Sequence, residues 1–139
     1  MSEKYDKNNA FAKILSGDAP CVKVYEDELT LAFMDFMPQI DGHVLVIPKE
    51  EAVTIYDLSN EAALACMQTV QKVGKAVEQA MEIEGSTIFQ HNGRTAGQTV
   101  AHFHFHVLPG SLTGLRGHAV ELAEKRQLIA IAERIIQEL

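Results

Sequence analysis

The stretch Ala101-His102-Phe103-His104-Phe105-His106-Val107-Leu108-Pro109 sets a histidine at every second position. Alternation along a strand places side chains two residues apart on one face, with successive members ~6.5 to 7 Å apart at the backbone. A strand over Val100–Leu108, stopped by Pro109-Gly110, therefore gathers three imidazoles on one side and sends Phe103, Phe105 and Val107 toward a core. Each imidazole brings two nitrogens that need partners, so three of them make a poor packing surface. An exposed polar face would more ordinarily use Thr, Lys or Glu. Two chemistries remain open: a metal site with neutral imidazole ligands, or a phosphate site with one imidazole as nucleophile and its neighbours as donors. Gly97-Gln98-Thr99 just upstream, with approachable backbone, an amide and a hydroxyl, favours phosphate. The nearest acids in sequence, Glu84 and Glu121, are too distant to complete a metal shell on this strand.

Working outward, Asn8 or Asn9 can cap a short helix carrying Phe11, Ile14 and Leu15. Val22–Tyr25 and Leu29–Met34 read as strands around a Glu26-Asp27-Glu28 turn, and Gly42 precedes another strand, His43–Ile47, stopped by Pro48. A long helix runs from Asn60 to Glu84, with Ser59 as N-cap and Gly85 as the left-handed residue after its end. Its stripe is Ala63, Met67, Val70, Val73, Val77 and Met81. Ser86–Phe89 is a strand and Gly93–Gly97 a loop. A last helix covers Val120–Leu139, with Leu128, Ile131, Ile135 and Leu139 on one side. Hairpin-like strands with two long helices predict an antiparallel α+β domain.

At 139 residues, with 47% hydrophobic and 22% charged, the chain supports one packed domain, 1–139. The net charge of −7 disfavours nucleic acid and anionic membranes as partners, though a few local donors still suffice for one small nucleotide. Cys21 and Cys66 stand far apart, the segment Met1–Asn9 is polar, and Val44–Ile47 is too short to span a bilayer. These features predict a soluble cytoplasmic protein.

His102-Phe-His104-Phe-His106-Val-Leu resembles the signature of the histidine triad (HIT) family, in which three histidines alternate with hydrophobic residues. Asn92-Gly93 through Gly97-Gln98-Thr99-Val100, and Asp35 followed by Gly42-His43-Val-Leu-Val-Ile-Pro48-Lys49, are similar to its other motifs. The resemblance covers about residues 9–109 and leaves a C-terminal helical extension at about 119–139. It implies a HIT-like fold, a five-stranded antiparallel sheet with two main helices, paired into a homodimer. It also implies a purine nucleotide substrate cleaved at the α-phosphate without a cofactor, as in an adenosine 5′-monophosphoramidase. His104 would attack phosphorus and become nucleotidylated. His106 would assist the phosphate and leaving group, and His102 and His43 would complete the polar network. Asp35 would take the ribose hydroxyls. Phe11, Ile14, Phe33, Phe36 and Leu45 would form the base pocket, and Gly97, Gln98 and Thr99 would meet phosphate or leaving group.

Two departures qualify the likeness. Many bacterial relatives carry a Cys-x-x-Cys near the first helix and a histidine after the Pro-Lys, together ligating zinc. Here those positions read Asn9-Ala-Phe-Ala12 and Glu51, so no metal is expected. His91 stands where relatives place Asn or Gln to meet ribose or phosphate, which makes the charge there pH-dependent. A dinucleoside polyphosphate hydrolase, a nucleotide-binding regulatory module with little turnover, and a metal-dependent enzyme stay open as alternatives.

Overall fold

The computed structural model describes residues 3–113 and 122–139. Strands β1 (Lys23–Glu26), β2 (Thr30–Met34), β3 (Val44–Pro48), β4 (Ser86–Phe89) and β5 (Phe105–Pro109) form one antiparallel sheet in the order β1-β2-β3-β5-β4. Helices α1 (Ala10–Ser16), α2 (Asn60–Met81) and α3 (Lys125–Glu138) complete an α+β fold. This matches the fold class expected from the sequence.

Strand alternation divides the sheet into two working faces. Ala32, Met34, Val44, Val46 and Val107 pack with Val70, Val73 and Val77 of α2 and with Leu128, Ile131 and Ile135 of α3. Leu31, Phe33, Leu45 and Ile47 point the other way, where Phe11 of α1 closes over them. Fully burying one such side chain contributes roughly 1.5 to 3 kcal/mol. Cross-strand register then sets Phe33, Leu45, His106 and Phe89 in one row on the α1 face. That row is the floor of the site.

The central β-strand is shorter than the sequence predicts. Pairing of β5 with β3 begins at Phe105 opposite Val46. Continuing that register would set Phe103 against Pro48, which has no N–H to give. Phe103 instead donates its N–H to the Ala52 carbonyl at 2.8 Å, and its ring packs with Ala52, Leu58, Ala62 and Cys66. Val100–His104 is therefore not strand, and only His106 of the three histidines lies within the ladder.

Helix ends also differ from expectation. Asn9 caps α1, accepting from the Phe11 and Ala12 N–H groups, and Ser59 caps α2 as predicted. The chain leaves α2 at Glu82, whose φ of 55° is left-handed, three residues before Gly85. Early in α2, Ala62 and Cys66 are buried in the Phe103 cluster with Ala63 partly buried against it, Thr69 is buried where its hydroxyl meets that of Thr30 at 2.7 Å, and Met67 is exposed. Helix α3 begins at Lys125, after the non-helical 122–124. The positions 120 and 121 of the expected helix, and His118, lie outside the described residues. Leu128, Ile131 and Ile135 are buried as expected, while Leu139 is exposed. Gly42, at φ 94°, admits β3 where any Cβ would meet the Met81 side chain at 2.8 Å. Among the described residues, no helix is long and apolar enough to cross a membrane.

Candidate active site

His104 stands just before β5 and is buried. Its Nδ1 lies 2.7 Å from the His102 carbonyl oxygen. A carbonyl only accepts, so Nδ1 carries the hydrogen and Nε2 keeps its lone pair. Burial pushes the His104 pKa down to about 4, with the neighbouring His102 adding in the same direction and the carbonyl contact opposing. The imidazole is consequently neutral at pH 7. Phe11 sets its ring edge-on to His104 at 4.9 Å, fixing the plane of the imidazole from the α1 side.

His43 and His106 form a second, directional set. The Gln39 N–H donates to His43 Nδ1 at 3.1 Å, which leaves the His43 hydrogen on Nε2. That N–H is 2.9 Å from His106 Nδ1, so His106 holds its own hydrogen on Nε2. Phe89 stacks on His106 at 4.4 Å with only 11° between planes, and His104 and His106 rings are 4.9 Å apart. Asp35 places one carboxylate oxygen 3.5 Å from His43 Nε2 and uses the other to accept from the Met37 N–H at 2.8 Å. Asp35, His43 and His106 bring three possible ligand atoms within 4.8 Å of one another. The hydrogen bond between His43 Nε2 and His106 Nδ1 already occupies one nitrogen of each ring, so a cation taking those nitrogens would have to displace it.

A cavity of about 430 Å³ opens beside these rings. Such a volume suits a small-molecule ligand. Phe11, Ile14, Phe33, Phe36 and Leu45 give it an apolar wall, while Asp35, Thr99, His104 and His106 supply its polar side. Asn8, which the sequence offers only as a possible helix cap, and Lys13, which carries no sequence signal, also line it.

The family model for the HIT domain matches residues 16–112. This chain belongs to the HIT family. It is 46% identical over 99 residues to the adenosine 5′-monophosphoramidase hnt1 of Schizosaccharomyces pombe, covering 71% of each chain. It is 31% identical over 132 residues to the adenylylsulfatase HINT3 of Arabidopsis thaliana, covering 89% of this chain and 67% of that one. The crystal structure of a Hit-like protein from Bartonella henselae superposes with a TM-score of 0.90 at 39% identity, covering 98% of this chain and 100% of the other.

Within this HIT protein, the cavity brings together most of the residues singled out in the sequence. His102, His43 and His91 stand behind its lining. His102 and His43 act through hydrogen bonds, and His91 packs against Phe89 and His106, with ring centroids at 5.2 and 5.8 Å. The expected phosphate cradle at Gly97-Gln98-Thr99 differs. The Gly97 N–H goes to Arg94 and the Gln98 N–H to Gly93, both within the turn around the 3-10 segment Arg94–Ala96. The Gln98 amide donates to the Val53 and Val100 carbonyls and accepts from the Gly93 N–H. Gln98 thus builds the loop, leaving Thr99 as the member of that trio that lines the cavity. Gly97 is required by its backbone, since at φ 107° it adopts a conformation that L side chains rarely take. The sequence reading passed over Tyr5, whose hydroxyl is 2.6 Å from His102 Nδ1. A lone tyrosine in a polar N-terminal segment carries no periodic signal that could have found it.

Proposed function

We propose that this protein hydrolyses purine nucleoside phosphoramidates, or closely related nucleotides, at the α-phosphate through a nucleotidyl–His104 intermediate. One observation carries the reading. His104 is neutral, has its hydrogen fixed on Nδ1 by the His102 carbonyl, and is left with a lone pair on Nε2 at a nucleotide-sized cavity. In the first step Nε2 forms a bond to phosphorus while the bond from phosphorus to the leaving nitrogen breaks, its electron pair leaving with the amine. The His106 Nε2 hydrogen is suited to meet that charge. Water then attacks the same phosphorus, the Nε2–P bond breaks, and a nucleoside monophosphate departs with His104 restored. Splitting one displacement into two is what a nucleophilic imidazole gains.

The apolar wall supports base binding, and Asp35 supports contact with the ribose hydroxyls. Thr99, on the polar side of the cavity, would meet the phosphate, and His91, packed against His106, would serve the ribose or phosphate. The relative named as an adenylylsulfatase supports the same attack on a nucleotide carrying a different leaving group. His104→Ala is the test, with adenosine phosphoramidates, adenylyl sulfate and diadenosine polyphosphates as the substrate panel. AMP should still bind while kcat falls by on the order of 10⁴-fold. Rapid quench of the native protein should trap acid-labile label on His104. Near-normal turnover by His104→Ala would refute the mechanism and return attention to Asp35, His43 and His106 as a metal site.

A further inference from the structure

We propose that Tyr5 is a positioning residue for the triad, donating its hydroxyl hydrogen to His102 and so fixing the group that holds His104. The inference rests on the reading of His104 as nucleophile.

The hydrogen-bond directions are determined by the partners. His102 Nε2 is 2.8 Å from the Pro48 carbonyl oxygen, so Nε2 carries the hydrogen. His102 Nδ1 is then an acceptor, and Tyr5 Oη at 2.6 Å is its donor. The ring is held at both nitrogens, by two elements that are far apart in sequence. The backbone carbonyl of the same residue takes the His104 Nδ1 hydrogen at 2.7 Å. Two hydrogen bonds, joined through the covalent frame of His102, thus run from the N-terminal segment to the attacking ring, and the Pro48 carbonyl braces His102 between them.

That segment is itself anchored. Glu3 takes both the Nε and Nη2 hydrogens of Arg94, at 3.1 and 3.0 Å, on the turn that leads into Thr99. Asn9 caps α1 on the other side of Tyr5. The Tyr5 ring meets the His102 ring edge-on at 5.5 Å, and Phe11 approaches it at 6.3 Å.

Nδ1 is also the one place where His102 could take a second proton. The groups bearing on it are Tyr5 from the N-terminal segment, Glu51 after β3, and His104 on its own segment. Burial holds the His102 pKa down, while the Pro48 carbonyl and then Glu51 pull the other way. A donor on Nδ1 favours the neutral ring. Without it, a proton on Nδ1 would put a positive charge beside the nucleophile.

Tyr5→Phe in the full chain keeps the ring and removes only the donor. We expect kcat to fall about tenfold, the scale of one lost buried hydrogen bond, with KM for an adenosine phosphoramidate unchanged. The acid limb of the rate profile should move toward neutral pH. In ¹⁵N-histidine spectra, the protonation midpoint of His102 should rise. Adding Tyr5→Phe to His102→Ala should cost nothing further. A folded Tyr5→Phe with unchanged kcat and unchanged His102 resonances overturns the proposal. So does an equal loss in the His102→Ala background, which would mark a packing role. Should the variant not fold, the native spectrum decides: Nε2–H on His102 supports the proposal, and Nδ1–H overturns it. That spectrum is independent of turnover, so it still tests Tyr5 if His104→Ala proves active.

Discussion

Lowering the pH separates His104 from an ordinary histidine. A nucleophile must be unprotonated, so kcat/KM falls as pH drops through its pKa in the free protein. An imidazole at the usual ~6.5 is only about one-tenth neutral at pH 5.5. Burial brings His104 to about 4, which leaves it almost wholly neutral at the same pH. The rate should therefore be flat from pH 7 to 5.5, where an exposed histidine would already have lost about tenfold. The same burial acts on stability. Between about 6.5 and 4 the unfolded chain binds a proton on this ring that the folded chain does not. Stability is thus lost as pH falls through that window, by about 3 kcal/mol once it is crossed. His102, also lowered by burial, adds in the same direction. Activity and fold must be followed together, and far-UV circular dichroism is the practical probe because the chain has no tryptophan. A half-maximal kcat/KM near pH 6.5, with the dichroism unchanged, would refute a buried neutral His104 as the nucleophile.

Two further outcomes are expected. Chelation should leave the melting temperature unchanged and elemental analysis should find no stoichiometric zinc, since Asn9 spends its side chain capping α1 and Glu51 approaches Lys7 at 3.9 Å; zinc lost together with stability would contradict this. The homodimer implied by the resemblance should cover the exposed Leu64 and Met67 of α2 and Ile88 on the edge strand β4. Light scattering at micromolar concentration should give a dimer that Leu64→Glu with Met67→Glu dissociates, and a native monomer with full activity would refute the assembly.

Local periodicity made the elements legible where one face of each element meets one partner. The Ser59 cap and the Leu128-Ile131-Ile135 stripe fall in that class, since each signal is short-range; β2 and β3, buried on both faces, are legible instead as short apolar runs bounded by turn residues. The start of α2 was misread because two partners compete for it. Val70, Val73 and Val77 face the sheet, whereas Ala62 and Cys66 face Phe103, and no single stripe serves both. The α2 ending was misread because Gly85 is the residue that ordinarily takes a left-handed turn, yet Glu82 adopts it. In both places tertiary contacts overrode a local preference.

The histidines show the same limit more sharply. Period two singles out His102, His104 and His106, but strand geometry is not what gathers them. Pro48 ends the ladder, and freeing 102–104 from pairing is what lets the His102 carbonyl turn to His104 Nδ1 while the His102 ring reaches the Pro48 carbonyl. A regular strand would have committed that carbonyl to a neighbour and pointed it in the sheet plane. Proline at 48 thus does two things that alternation cannot reveal: it stops the sheet, and it leaves an acceptor that orients a triad ring. The fixed tautomer of His104 follows from the interruption of the strand, and so does the lone pair on which the proposed chemistry depends.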